Sequence, residues 1–357
     1  MTTDAAFALN AGLEAELLHL WSKFLKRSDL SIDDDFFESG GDSLLAEELL
    51  LEVEQLMQTK IPPSLLFETG TVRGLAERLG RTESLVPKLA VRIGGEGGRV
   101  FHFFHGDFTH GGVSVRGLAA MLGQHRPTSA IAPHGANGER VPVSIEEMAA
   151  DRLSLILEAQ PSGPYLLGGH CAGALVAFET ARLLVDAGHR VELVVMIDPV
   201  VVSLRPSVRL LLGTLDLAKR AMGVPSHLRQ QSVALACEKL AKNESDLRQH
   251  LWGLRREWNG SRKTASPGLR RARSVVAEDP EVLAAYSRVM SAYRPSPFAV
   301  PVLYVALGFS AGGWRGMSPE IELVDAPDVD HNMSGDSGAA VLVRVRERLD
   351  ALDPPAR

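Results

Sequence analysis

Apolar residues recur at helical spacing near the start of the chain, where Leu13, Leu17, Leu20, Trp21 and Phe24 share one face. A polar loop, SIDDDFFESGGDS, follows, and then a second periodic run through Leu44, Leu45, Leu49, Val53 and Leu56. Pro62-Pro63 stops that run, because proline lacks the amide that a helix interior needs. A short helix around Val72–Leu79 closes a small all-α unit. Residues 83–98 have no clear period and end in glycines, which reads as a linker.

From residue 99 the pattern changes. RVFHFFHG is a short apolar strand running into a glycine turn, and PYLLGG repeats the arrangement. ALVAFETARLLVDAG is an amphipathic helix, and VELVVMID is a strand apolar on both faces. VPVLYVALG and IELVDAP are two more strands. Strands alternating with helices predict an α/β domain with a mainly parallel sheet. Between Asp198 and Val300 the alternation stops, and a basic, helical insertion containing Trp252 and Trp258 takes its place.

Composition narrows the function classes. The 357 residues leave room for two domains, and 45% apolar with 23% charged residues is globular. A net charge of -6 argues against nucleic-acid binding through a basic surface. That total hides two poles: residues 1–85 carry 16 acidic against 7 basic side chains, and residues 203–275 carry 5 against 15. Such poles are either two solvated faces or two surfaces that attract each other. The two cysteines, Cys171 and Cys237, exclude a disulfide framework and a four-cysteine zinc site. No H-E-x-x-H spacing or P-loop lysine pattern occurs, so neither a metal nor a nucleotide is expected. The absence of an apolar run of ~18 residues or a basic leader predicts a cytoplasmic protein with no membrane contact. The MTTD start favours a free-standing protein over an excised synthase terminus.

Ser43 stands at the start of the second helix, just after two glycines. A serine there is an ordinary N-cap, its hydroxyl accepting a backbone amide. The wider string, Asp35-Phe36-Phe37-Glu38-x-Gly40-Gly41-Asp42-Ser43-Leu44, resembles the phosphopantetheine attachment site of peptidyl carrier domains. The resemblance continues through Ile61-Pro62, Leu66-Phe67-Glu68 and Thr71-Val72. Gly70 departs from it, because these domains usually carry proline there. The resemblance implies a four-helix carrier domain over residues 8–82, with 4'-phosphopantetheine esterified to Ser43 and carrying a thioester. A helix N-terminus suits the arm's phosphate.

Tyr165-Leu166-Leu167-Gly168-Gly169-His170-Cys171-Ala172-Gly173 reads as strand, tight turn and helix, with the pattern G-x-C-x-G. With serine in the middle this is the nucleophile elbow of α/β-hydrolases. A lone cysteine is usually buried and inert, but an elbow exposes the side chain and aims a helix N-terminus at the thiol. Cys237, in the apolar helical run SVALACEKLA, is expected to pack. His331 follows the last strand in DVDHNMSG, where the fold carries its base. Asp198 ends VELVVMID and is the favoured acid, with Asp325, Asp328 and Asp330 as weaker alternatives.

This second unit, residues 99–352, resembles the thioesterase domains that end nonribosomal peptide and polyketide synthases. The resemblance implies an α/β-hydrolase fold with a helical lid over about 203–295, and an acid placed as Asp198 is. FFHGDFTHGG matches the family's glycine-rich oxyanion loop, so the amides of Phe108 and Ala172 are expected to hold an oxyanion, with His105 and His110 flanking the loop. The usual nucleophile is serine. A cysteine keeps the acyl group as an activated thioester.

The expected function is a thioesterase that moves an acyl or peptidyl group from the Ser43 arm to Cys171. Release would follow by hydrolysis, cyclisation or aminolysis in natural-product biosynthesis. Shuttling of the acyl group between carrier domains is the alternative, and a non-catalytic carrier-binding module a weaker one. The expected partners are a phosphopantetheinyl transferase and the upstream modules or loading enzymes that supply the acyl thioester. The basic lid is expected to cover the acyl chain and to receive the acidic carrier.

Overall fold

The computed structural model describes residues 3–41, 43–80, 88–94, 99–106, 126–136, 138–199, 217–223, 280–307, 314–326 and 335–353, with single positions at 115, 118, 119, 122, 214 and 329. Four helices form the N-terminal unit: α1 Thr3–Leu25, α2 Ser43–Met57, α3 Pro63–Thr69 and α4 Val72–Leu79. Leu17, Trp21, Phe36, Leu49, Val53, Leu66 and Leu75 are each fully buried in its core. Trp21 meets Phe36 edge-on with ring centroids 5.3 Å apart, which fastens α1 to the loop before α2. Gly41 has no room for a side chain, since a carbon built there would lie 2.3 Å from the Phe36 ring. Gly70 ends α3 with φ 67°, and its amide donates to the Leu66 carbonyl across 2.9 Å. Proline could supply neither that φ nor that donor, which explains the departure from the usual carrier pattern.

Among the described residues seven strands make one sheet: β1 Ala90–Ile93, β2 Phe101–Phe104, β3 Thr128–Ile131, β4 Tyr165–His170, β5 Val191–Ile197, β6 Val302–Ala306 and β7 Ile321–Asp325. Their order is β1-β3-β2-β4-β5-β6-β7, with β1 antiparallel to β3 and every other pair parallel. This corrects the expected linker over 83–98, because Ala90–Ile93 already belongs to the sheet. β1 pairs along β3 from Ala90 opposite Ile131 to Ile93 opposite Thr128, covering an edge that would otherwise be open.

Helices cover both faces, as a parallel sheet requires. On one face α5 Ile145–Ala159, α6 Ala172–Asp186 and α7 Pro280–Ala292 pack over Phe104, Tyr165, Val194 and Tyr304. Phe178 of α6 is clamped edge-on between Phe298, at 4.8 Å, and Trp314, at 5.1 Å. On the other face α8 Gly335–Asp350 packs Val341, Val345 and Leu349 over Phe101, Leu166, Val195 and Leu303. The architecture is the expected one, a helical carrier unit followed by an α/β-hydrolase sheet. Most of the expected lid, like Cys237 within it, lies outside the described residues, whereas α7 forms its C-terminal end.

Candidate active site

Parallel strands bring their C-terminal ends to one edge, which is where open α/β sheets carry their sites. β4 ends there at His170, and α6 begins at Ala172. Cys171 between them has φ 54° and ψ -121°, a conformation that side chains other than glycine rarely adopt. Two hydrogen bonds hold the turn in place. The Cys171 amide donates to the Ile197 carbonyl across 2.9 Å, and the Cys171 carbonyl accepts from the Ala174 amide at 3.2 Å.

The flanking glycines are required sterically. A side-chain carbon at Gly169 would lie 2.4 Å from the Gly173 carbonyl carbon. One at Gly173 would lie 2.1 Å from the Phe104 carbonyl oxygen. The strand and helix can therefore close around Cys171 only with glycine at both positions. Cys171 itself is a free thiol, partly exposed. Ala172 is the first residue of α6, so its amide belongs to the set that has no acceptor within its own helix.

Asp198 follows β5 directly, is 5% exposed and has φ 46°. Its amide donates to the Val305 carbonyl across 2.9 Å, so it turns off the sheet one strand away from Cys171. The next residue is tied down as well, since the Tyr304 hydroxyl donates to the Pro199 carbonyl at 3.4 Å. Asp325 ends β7 at the same edge, but beyond β6. The expected base His331, the oxyanion residue Phe108, His110, Asp328 and Asp330 lie outside the described residues. His105 is described and 3% exposed, at the exit of β2.

Buried charges brace the helices around this edge. Glu179 of α6, 2% exposed, accepts from Arg182 Nε at 2.8 Å and from the Tyr293 hydroxyl at 3.1 Å. That couples α6, the helix after Cys171, to the segment after α7. Arg152 of α5 binds Asp151 and Glu139, each at 2.8 Å, while His134 Nε2 lies 2.9 Å from Asp151. Sequence reading missed this group, because His134 and Glu139 stand in one polar loop and Arg152 in the following helix until the fold gathers them. With Phe104, Gly173 and Tyr286, His134 and Arg152 line a narrow recess beside the first turn of α6. Among the described residues no cluster of three His, Cys, Asp or Glu side chains could hold a metal ion, and no helix is long and apolar enough to cross a membrane.

The model of the thioesterase domain family matches residues 111–309, a span that includes Cys171 and Asp198. The chain belongs to the thioesterase family. The phosphopantetheine attachment site model matches residues 15–79 of the helical unit. Together they make a carrier–thioesterase module of the nonribosomal-synthetase type. An indigoidine synthase of Dickeya dadantii is 38% identical over 188 residues, covering 52% of this chain and 13% of that protein. A dimodular nonribosomal peptide synthase of Bacillus subtilis is 34% identical over 191 residues, covering 52% of this chain and 8% of the other. The chain thus spans a small fraction of the length of these curated relatives. A four-domain nonribosomal peptide synthetase of known structure shares the fold, with a TM-score of 0.50 and 24% identity over 96% of this chain and 26% of that one.

The helical unit is a site of covalent phosphopantetheine attachment. Its residues fit that group. Ser43 opens the 15-residue helix α2, whose first turn holds no acidic side chain to repel a phosphate. Gly40 just before it has φ 103°, and a carbon built there meets nothing within 4 Å.

Proposed function

We propose that this module receives an acyl group on the Ser43 arm, captures it on Cys171 and releases it or hands it on. The arm supplies a mobile thioester. His331 removes the thiol proton, and Asp198 orients the imidazole. Cys171 Sγ then attacks the thioester carbonyl carbon. The new carbon–sulfur bond forms as the arm's carbon–sulfur bond breaks, and the arm's sulfur takes the proton back from His331. The amides of Ala172 and Phe108 hold the negative oxygen of the tetrahedral species. The names of the relatives, peptide and indigoidine synthases, favour an aminoacyl or peptidyl group.

The observation that carries this reading is the backbone of Cys171, strained at φ 54° and ψ -121° between β4 and α6, with Asp198 ending the neighbouring strand. A structural cysteine needs no such turn. The test loads the full chain from a mass-tagged acyl-coenzyme A through a phosphopantetheinyl transferase, which leaves the nucleotide behind, and follows intact mass and peptide maps. The tag is expected to pass from Ser43 to Cys171 in the wild type and to stay on Ser43 in Cys171→Ala. Clearance by Cys171→Ala at the wild-type rate overturns the mechanism.

Cysteine in the nucleophile position favours a second reading, transfer to another carrier. An acyl group on sulfur keeps the activation that an oxygen ester loses. Adding an unacylated carrier protein separates the two readings: release proceeds without it, and transfer requires it.

A further inference from the structure

α3 divides its side chains between two cores. Leu65 and Leu66 are buried in the carrier's own cluster. Phe67, only 2% exposed, belongs instead to the buried cluster of the thioesterase unit that holds Val91, Phe101 and Phe103. Its ring meets the His105 ring edge-on at a centroid distance of 6.2 Å. Phe37, from the loop leading to Ser43, is partly buried against both clusters. Glu68 beside it accepts the Lys88 amide at 2.7 Å, which fixes the chain between the units. This described contact is apolar. The expected pairing of the acidic carrier with the basic insertion involves residues outside the described set.

His105 stands between the carrier and the nucleophile. Its amide donates to the Ile131 carbonyl at 3.2 Å, so it is anchored at the exit of β2. The next residue, Gly106, lies against the elbow: a carbon built on it would be 2.9 Å from the His170 carbonyl oxygen and 3.3 Å from Cys171 Cβ. On the carrier side the arm loop is tied to the end of α3, because the Phe36 amide donates to the Gly70 carbonyl at 2.8 Å and Asp35 bridges to Thr71. Neighbouring residues therefore lead from the loop before Ser43, through α3 and Phe67, to His105, Gly106 and Cys171.

We propose that Phe67 is a positioning residue for Cys171: packed against His105, it makes the carrier domain one wall of the thiol's surroundings. The carrier is then part of the site that receives its own cargo. Truncating the Phe67 ring removes one packing contact of His105, and the adjoining Gly106, which lies close to the elbow, loses part of its backing. The contact itself is independent of chemistry, whereas its consequence for acyl transfer rests on Cys171 being the nucleophile, as proposed above.

The test uses the full chain as wild type, Phe67→Ala and Phe67→Leu, with Leu56→Ala on the exposed side of α2 as a control. Alkylation of each cysteine by iodoacetamide is timed by peptide mass mapping, so that Cys171 and Cys237 are read separately. Turnover of a soluble acyl-N-acetylcysteamine thioester, which needs no carrier, gives kcat and KM. Phe67→Ala is expected to speed alkylation of Cys171 but not of Cys237. It is also expected to lower kcat about tenfold to a hundredfold with KM little changed, the scale of a small misplacement. Phe67→Leu restores most of both, and Leu56→Ala matches the wild type. General loosening would speed both cysteines together and overturn the proposal, as would Phe67→Ala behaving like the wild type. If Phe67→Ala cannot be loaded by a phosphopantetheinyl transferase, its carrier is unfolded. Phe67→Leu then decides: a smaller shift in the same direction in both readouts is expected, and no shift at all in either overturns the proposal. If the wild type never acylates Cys171 while its alkylation still responds to Phe67, the nucleophile assignment fails and the coupling stands.

Discussion

Cys171 and Asp198 leave the sheet from adjacent strands, and both do so in left-handed backbone, with φ 54° and φ 46°. The Cys171 amide is held by Ile197, the residue just before Asp198, and the Asp198 amide by Val305 on the next strand. Two strained turns side by side are costly unless the surroundings enforce them. Here the paired strand ends do so.

In the proposed mechanism Asp198 is the residue that orients the base. Asp198→Asn is expected to fold and to load normally at Ser43, yet to acylate Cys171 about a hundredfold or more slowly, because an amide cannot stabilise an imidazolium. Rapid-quench measurement of Cys171 acylation by a soluble thioester reads the effect. An unchanged rate would transfer the role to Asp325 or another acid near the last strand.

Steric limits at the elbow give a stability prediction. In Gly173→Ala the new carbon starts 2.1 Å from the Phe104 carbonyl oxygen, a backbone atom that cannot swing aside as a side chain would. Either β2 or the first turn of α6 must shift. A loss of roughly 3 kcal/mol or more is expected from such overpacking. Urea unfolding monitored on the α/β unit measures it, and a loss below 1 kcal/mol would mean that the elbow is softer than its contacts indicate.

The strained turn at Cys171 was legible in the sequence because its constraint is local. Gly169 and Gly173 at fixed distances from Cys171 signal a turn that only small residues permit, and the elbow is found where that spacing places it. Asp198 was legible for a related reason, as an acid ending an apolar strand. β1 and β3 escaped notice. Each has four residues, and Thr128 and Ser129 of β3 are polar but buried, so neither alternation nor a long apolar run marks them. Phe67 escaped for a different reason. An apolar residue in a short amphipathic helix reads as core, and periodicity cannot say whose core. The same limit hid His102, a polar residue in an apolar strand that becomes wholly buried only when β3 and β4 close around it.

His102 makes stability depend on pH. It is 0% exposed, and burial pushes its imidazole down to about 4 despite a contact with Gln160 at 3.3 Å. In the unfolded chain the same ring titrates near 6.5. Between these values the unfolded state binds a proton that the folded state does not, so stability falls as the pH falls, by ~1.4 kcal/mol per unit. The loss reaches about 3 kcal/mol by pH 4 and is absent above 7. His134 is lowered as well, chiefly by burial and in part offset by Asp151, so it acts in the same direction. His102→Gln removes the larger contribution. Its stability relative to the wild type, from urea unfolding at pH 7.5 and pH 4.5, should shift in favour of the variant as the pH falls. Parallel curves for the two proteins would show that His102 is protonated, or hydrated, in the folded state. The residual slope of the variant then belongs to His134 and to the carboxylates that titrate at the acid end of the range.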